Sequence, residues 1–328
     1  HFDQAHDVRV AGCDIYNIGG KGIEVHVVEA NRLVDGDHRV VFENNHIHDI
    51  GLEEFSYVPG IWAWGQGVAI RDNTINAASH AAICLSGRET TVTGNDIFDV
   101  MRLSSEMGAI YTGRDWSTVG NLIAWNAFHD IARADKTQLS RGVMIDDGGA
   151  GFTIVSNVFR NIDGSGVATS AVGNRIADNW FENVTPAPLD CWGGDNAAVM
   201  DANWTPRTHP EIRRRLEALP LDEEPWKSRY PLVGVLRECL RGNAKKPPEA
   251  RTVIEGNAWW NDDGEVPLVK WMSRTVVTNE SAWVIRGNVH AKRPLPPRRY
   301  GCYPSIERFS WPLKASKKAP KLNFSSED

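Results

Sequence analysis

No run of apolar residues approaches the roughly 18 to 20 that a membrane-spanning helix needs, and the N-terminus lacks the basic-then-apolar layout of a signal peptide. Charge of one sign is not concentrated either. Lys and Arg number 36 against 42 Asp and Glu, a net charge of -6 with no basic stripe, which excludes the electrostatic footprint of a nucleic-acid or membrane-surface binder. Cysteine is scarce: Cys13, Cys84, Cys191, Cys239 and Cys302 are odd in number, widely spaced and free of CxxC or Cys/His ligand spacing. Neither a zinc site nor a disulfide framework is supported, and these residues read as small buried hydrophobes. Apolar stretches with a period of 3.6 over ten or more residues are missing from most of the chain, which argues against helical repeats. Units of four strands, as in a propeller, are missing too.

What is present is a repeat. Asparagine stands two residues before an apolar residue in Asn45-His46-Ile47, Asn73-Thr74-Ile75, Asn95-Asp96-Ile97, Asn126-Ala127-Phe128, Asn157-Val158-Phe159, Asn179-Trp180-Phe181 and Asn257-Ala258-Trp259, and Asn288 closes the series. Successive asparagines lie 28, 22, 31, 31, 22, 78 and 31 residues apart, lengths that suit one coil of a solenoid plus variable loops, apart from the 78-residue interval. Asn tolerates left-handed backbone geometry, and its amide can bond to the same amide one coil away, so each is expected at a corner of a stacked ladder. Cys13 stands where the first asparagine would be, which predicts its burial. Apolar pairs such as Val40-Val41 precede the corners. Strands of period two follow them, among them Ala82-Ile83-Cys84-Leu85, Ala109-Ile110-Tyr111-Thr112 and Gly142-Val143-Met144-Ile145. The fold expected is all-β, a right-handed parallel β-helix.

The coils are expected over residues 1–185 and 251–293. A helical, proline-punctuated excursion fills 186–250, with a helix starting at Pro210-Glu211, and a basic extended tail fills 294–328. Because the chain begins at His1 and the strand-like Val8-Arg9-Val10 follows almost at once, further coils and a secretion signal are expected upstream, with an extracellular or periplasmic location.

Chemistry in a solenoid comes from outward residues and rim loops. With Ile83, Ile110, Val143 and Val167 inward, Cys84, Tyr111, Met144 and Ala168 face out, and Ser86, Gly113, Asp146 and Ser170 follow on the same side. Asp146 then projects from a strand face while Arg114-Asp115 leaves the preceding coil beside it, so the two carboxylates are expected about 5 to 9 Å apart, in the range used by glycoside hydrolases. Asp146-Asp147-Gly148-Gly149 also reads as a plain turn. Glu106 and His80 are further candidates for the same face. Trp62, Trp64, Trp116 and Trp192 read as loop indoles able to stack on a sugar ring. Trp125, Trp180, Trp259 and Trp260 lie in the repeat and read as packing residues. His46, His48-Asp49 and His129-Asp130 belong to the recurring corner text and read as hydrogen-bonding turn residues.

Four runs resemble glycoside hydrolase family 141: His80-Ala-Ala-Ile, Gly108-Ala-Ile-Tyr-Thr-Gly-Arg-Asp115-Trp116, Asn126-Ala-Phe-His-Asp-Ile and Val143-Met-Ile-Asp146-Asp147-Gly-Gly-Ala-Gly-Phe. The Leu219–Pro231 stretch is similar to that group's inserted segment. The resemblance spans roughly His6 to Val289 and implies α-L-fucosidase- or xylanase-type chemistry with two aspartates, by position Asp115 and either Asp146 or Asp147, the register favouring Asp146. The expectation is a glycoside hydrolase acting on a plant- or algal-type glycan, with Asp115, Asp146 and Asp147 as catalytic candidates. His80, Glu106, Tyr111, Arg114, Trp116, Trp62, Trp64 and Trp192 are the substrate-binding candidates. No cofactor or metal is indicated. A polysaccharide lyase using Tyr111 or Arg114, often with Ca²⁺, and a non-catalytic carbohydrate-binding solenoid are the alternatives. The oligomeric state is left open.

Overall fold

The computed structural model describes residues 1–27, 40–113, 115–134, 138–146, 149–170, 173–192, 210–241, 251–271 and 283–294. All the strand pairs among them are parallel, and each strand pairs with the equivalent strand of the next coil. The strands that precede the asparagine corner, from Val8–Ala11 to Trp283–Arg286, form one face, a sheet of nine. The strands after the corner and those that follow a second bend form two more faces, hydrogen-bonded into one sheet of 17 strands. The chain is therefore a three-faced parallel β-helix, as the repeat predicts.

Its core is three inward rows. One runs Val10, Phe42, Ile70, Val92, Ile123, Ile154, Ile176 and Ile254. The second runs Ile47, Ile75, Ile97, Phe128, Phe159 and Phe181. Its phenyl rings lie nearly parallel, 4.8 and 4.9 Å apart, which is the spacing of the coils themselves. The third runs Ile23, Ile61, Ile83, Ile110, Val143, Val167 and Leu189. From Ile47, Ile61 and Phe42 onward these side chains are almost wholly buried.

The asparagine ladder is present and points one way. Asn45 Nδ2 donates to Asn73 Oδ1 at 2.9 Å, and the same bond recurs through Asn95, Asn126, Asn157, Asn179 and Asn257 to Asn288 at 2.9 to 3.0 Å. Each Nδ2 also reaches a backbone carbonyl, as Asn126 does to Val92 at 2.9 Å, so the buried amide is fully used. Left-handed backbone falls one residue earlier than expected. Gly12, Asn44, Asp72, Gly94, Trp125, Ser156, Asp178, Gly256 and Gly287 carry φ between 54° and 68°, while the ladder asparagines do not. Asn is needed for its amide, and the preceding residue takes the turn. A second left-handed position, four residues after the ladder asparagine, holds Asp49, Ala77, Asp99, Asp130, Asn161 and Asn183.

Two side chains differ from their expected burial. Cys13 is exposed, its N–H bonded to Asn45 Oδ1 at 3.0 Å and its thiol to the Ala11 carbonyl at 3.5 Å, because it lies on the outermost described coil, where little packs over it. Trp125 is 44 % exposed at its left-handed position, which turns the indole away from the core. Cys84, Cys191, Trp180 and Trp259 are buried as expected.

Among the described residues the excursion carries three helices, Pro210–Glu217, Trp226–Arg229 and Pro231–Leu240. Beyond it the strand Thr252–Glu255 pairs with Arg175–Ala177 as the next coil. The helices build a second core, in which Leu216, Leu219, Trp226, Tyr230 and Val233 pack on Trp116, Val119 and Ala150 at the rim of the third face. Arg229 pairs with Glu89 at 2.7 Å, and Arg88 lies 5.4 Å over the Trp226 ring. The excursion thus clamps the rim where the candidate site lies. Of the tail expected over 294–328, all but Pro294 lies outside the described residues.

Candidate functional site

The third face sets the site. Its strands Ile61–Gln66, Ile83–Arg88, Ile110–Gly113 and Ser140–Asp146 stack in register, with Gly113 opposite Asp146. Gly113 is required there: a Cβ on it would sit 2.8 Å from the Cβ of Asp146. Tyr111, two residues earlier and on the same side of the strand, donates its hydroxyl to Asp146 Oδ2 at 2.9 Å. Asp115 begins the turn after that strand. Its Oδ1 accepts from the Ser117 N–H at 2.8 Å and the Ser117 hydroxyl at 2.6 Å, and the Thr118 hydroxyl bonds to its carbonyl at 2.7 Å. Its Oδ2 faces the Arg215 guanidinium at 3.3 Å. Each of these contacts to the carboxylate is a donor, so both its oxygens are held in place.

A cleft of about 320 Å³ opens beside Asp115, walled by Trp64, Arg88 and Ser117 from the coils and by Arg214 and Arg215 from the helix of the excursion. Trp62 and Trp64 lie on a strand rather than in a loop, because Ile61-Trp62-Ala63-Trp64 alternates and puts both indoles on the outer side. They stack 5.5 Å apart at 20°, with the Lys21 ammonium 4.4 Å from the Trp62 ring and the His26 imidazole stacked on Trp64.

Further along the same face lies a charged group that the sequence reading missed. Arg141 Nη2 is 3.8 Å from Asp190 Oδ2, and both side chains are almost wholly buried. Burial holds the Arg141 guanidinium below its usual range, opposed by the charges of Asp190, Asp146 and Glu106. Burial likewise raises the Asp190 carboxyl, opposed by Arg141 and Lys270. At 3.8 Å the attraction is too weak to offset desolvation. Among the described residues, Arg141 Nε, Asp190 Oδ1 and Ser165 Oγ have no hydrogen-bond partner. The signal was available, since Tyr111, Met144, Ala168 and Asp190 occupy one outward row, and extending the register a single coil reaches Asp190.

Other candidates have different roles. His80 is 1 % exposed. Its Nδ1 accepts from the Tyr57 N–H at 2.9 Å and its Nε2 lies 3.3 Å from the Ser105 carbonyl. Burial pushes it down to about 4 against the Ser105 bond, so it ties two loops together as a neutral ring instead of lining the face. Trp116 is 2 % exposed within the second core, which makes it a packing residue and not a sugar platform. Glu106 is exposed on its loop, near enough to Arg141 for their charges to interact. Arg114 and Asp147 lie outside the described residues, as does the side chain of Trp192, whose backbone ends the strand Leu189–Trp192.

On the second face, His48 bridges Asp14 at 3.1 Å and Asp49 at 2.7 Å, and His129 bridges Asp96 at 3.0 Å and Asp130 at 2.7 Å. Among the described residues, His1, Glu24 and His26 form one group with ligand atoms within 4.8 Å of one another, and Asp14, His46 and His48 form another. Neither includes Asp115 or Asp146. No described helix is long and apolar enough to cross a membrane.

Coils stacked in register around three faces, joined by an asparagine ladder, define a parallel β-helix protein. The family can also be given: residues 1–97 and 33–204 match the sequence profile described as the right handed beta helix region, and the chain belongs to that family. No curated protein and no solved structure matches it.

Proposed function

We propose that the protein is a glycoside hydrolase that cleaves a plant- or algal-type glycan on its third face, with Asp146 as proton donor and Asp115 as base or nucleophile. The observation that carries this reading is the placement of two carboxylates on neighbouring coils of one face: Asp146 stands opposite Gly113, and Asp115 follows Gly113 by two residues and lines a cleft that Trp64 also walls. The Ser117 bonds and the Arg215 ion pair fix the orientation of Asp115. The Tyr111 bond fixes the orientation of Asp146. A sugar ring stacked on Trp64 would bury its apolar face there, and the separation of the two carboxyls around a bound substrate would decide inversion or retention. No metal takes part on this reading, so chelation leaves turnover unchanged.

The test is a screen of plant and algal glycans for released reducing ends, with Asp115→Asn and Asp146→Asn as controls. Each change is expected to lower turnover roughly 10²- to 10⁴-fold with folding intact. Undiminished turnover in both variants would overturn the assignment. A specific observation favours a second reading: Arg141, held below its usual range beside Asp146 and Asp190, suits the base of a polysaccharide lyase. Ultraviolet-absorbing unsaturated uronate in place of new reducing ends that lack unsaturation would establish the lyase and exclude the hydrolase.

A further inference from the structure

Two histidines on the second face hold an arrangement that hydrogen bonding alone does not complete. His46 and His48 flank the inward Ile47 on the strand His46–Ile50, so both rings stand on its outer side, and Asp14 lies opposite His46 on the neighbouring coil. Asp14 Oδ1 is 3.1 Å from His48 Nε2 and 3.4 Å from His46 Nδ1. The far nitrogen of each ring is already engaged: His48 Nδ1 donates to Asp49 Oδ2 at 2.7 Å and His46 Nε2 to Asn76 Oδ1 at 2.9 Å. A neutral imidazole carries one N–H. With that proton turned to Asp49 or Asn76, each ring presents a lone pair to Asp14, and three acceptors converge.

The same bridge recurs further along the face, where Asp96, His129 and Asp130 stand relative to their corners as Asp14, His48 and Asp49 do, with His129 3.0 Å from Asp96 and 2.7 Å from Asp130. One ring between two carboxylates is satisfied by taking a second proton. The place of His46 is held there by Ala127. At the Asp14 end the second ring stacks on the first at 4.1 Å, and protonating both would set two cations face to face. A single divalent ion satisfies all three acceptors. Ligand atoms around a tetrahedral ion with bonds of about 2.1 Å lie about 3.4 Å apart, close to the two separations from Asp14 Oδ1. Tyr16 stacks on His48 at 5.1 Å, which with the Asp49 bond fixes the ring. The group of His1, Glu24 and His26 differs, because the Lys21 ammonium lies 3.0 Å from Glu24 Oε1 and already supplies a cation.

We propose that Asp14 Oδ1, His46 Nδ1 and His48 Nε2 bind a divalent transition metal ion of the zinc class, with Asp49 and Asn76 orienting the two rings. Two imidazoles and one carboxylate suit zinc, whereas calcium and magnesium take oxygen ligands. The ion joins the coil of Asp14 to the coil of His46 and His48, on a face that carries neither Asp115 nor Asp146. Its work is to fasten coils, independently of any glycan chemistry on the third face.

The test is zinc binding by the whole chain, measured by calorimetry. Asp14→Ala, His46→Gln and His48→Gln should each weaken binding at this site by at least about 100-fold. Asp49→Asn, which touches no metal, should weaken it about tenfold, and His129→Gln should leave it unchanged. Asp14 and His46 are exposed, so their replacement leaves the core row of Ile47 in place. Excess zinc should also raise the thermal midpoint of the unaltered chain and not that of His48→Gln. No zinc binding, binding untouched by both His46→Gln and His48→Gln, or an equal loss in His129→Gln would overturn the site. Tighter binding of Ca²⁺ or Mg²⁺ than of Zn²⁺ would show an oxygen-ligand site and sink the assignment to these histidines.

Discussion

The asparagine corner and the third face stack their residues at the same coil spacing, yet they use it in opposite ways. At the corner one residue type recurs from Asn45 to Asn288, each amide satisfying its neighbours above and below. On the outer side of the third face, Trp62, Cys84, Tyr111, Met144, Ala168 and Asp190 share one row without repeating, and Trp64, Ser86, Gly113 and Asp146 share the next. Where stacking serves the fold, selection for one hydrogen-bond pattern imposes identity. On the outer side of the third face no shared hydrogen-bond pattern is required, and unlike groups share a row.

The sharpest way to break this contrast is to remove one amide. In Asn126→Ala, Asn95 loses the acceptor of both its N–H and its Nδ2, while the Val92 carbonyl and Asn157 Oδ1 each lose a donor. Unsatisfied buried groups cost about 1 to 3 kcal/mol each. With partial relaxation the loss should be about 4 kcal/mol, lowering the thermal midpoint by about 10 °C. Asp146→Asn keeps an acceptor for Tyr111 and should move the midpoint by no more than about 1 °C while removing activity. Calorimetric scans of the two variants side by side check the pair. A comparable loss of stability in both would mean that the third face is as structural as the corner.

The same contrast explains what could be read from the sequence. The ladder was legible because repetition is a statistical signal, visible without coordinates. Asp146 and Tyr111 were placed on one side of their strands by period-two alternation alone. Asp190 could have been placed by extending the row of Tyr111 one coil, but its partner Arg141 could not, because it reaches Asp190 across two coils and no spacing in the chain marks the pairing. His80 and Trp116 were misjudged for a related reason: sequence shows that a residue follows or precedes a strand, but not that a distant loop or the inserted helices cover it. The left-handed position was displaced by one, since the amide that makes the ladder and the backbone that makes the turn belong to adjacent residues.

That displacement gives a smaller prediction. Trp125 occupies a left-handed position whose equivalents include Gly12, Gly94, Gly256 and Gly287, and at 44 % exposure its ring is only partly packed. A left-handed non-glycine residue costs about 1 to 2 kcal/mol, part of which glycine gives back through its freer unfolded state. Trp125→Gly should therefore raise stability by up to about 1 kcal/mol in urea unfolding. A fall would mean that the indole's packing outweighs the backbone strain.

The smallest effect comes from the second face, where a third kind of stacking pairs histidine with carboxylates. Burial lowers the His129 ring, but bonds and charges from Asp96 and Asp130 outweigh it and hold the ring above 6.5. Burial raises Asp130, yet Asn161 and His129 outweigh it and hold the carboxyl below 3.8. A raised histidine contributes fully below its unfolded value of 6.5 and loses that contribution as pH rises through the folded value. A lowered aspartate contributes above its unfolded value of 3.8 and loses that contribution as pH falls through the folded one. Both terms are fully present together only between those two unfolded values. With the Asp130 side chain 59 % exposed, solvent screening keeps the combined effect under about 1 kcal/mol. Urea midpoints at about pH 5 and about pH 8 should fall between the two for the unaltered chain and fall less for His129→Gln. The same pH response in both proteins would show that His129 makes no titratable contribution and that its contacts serve only the geometry of the turn.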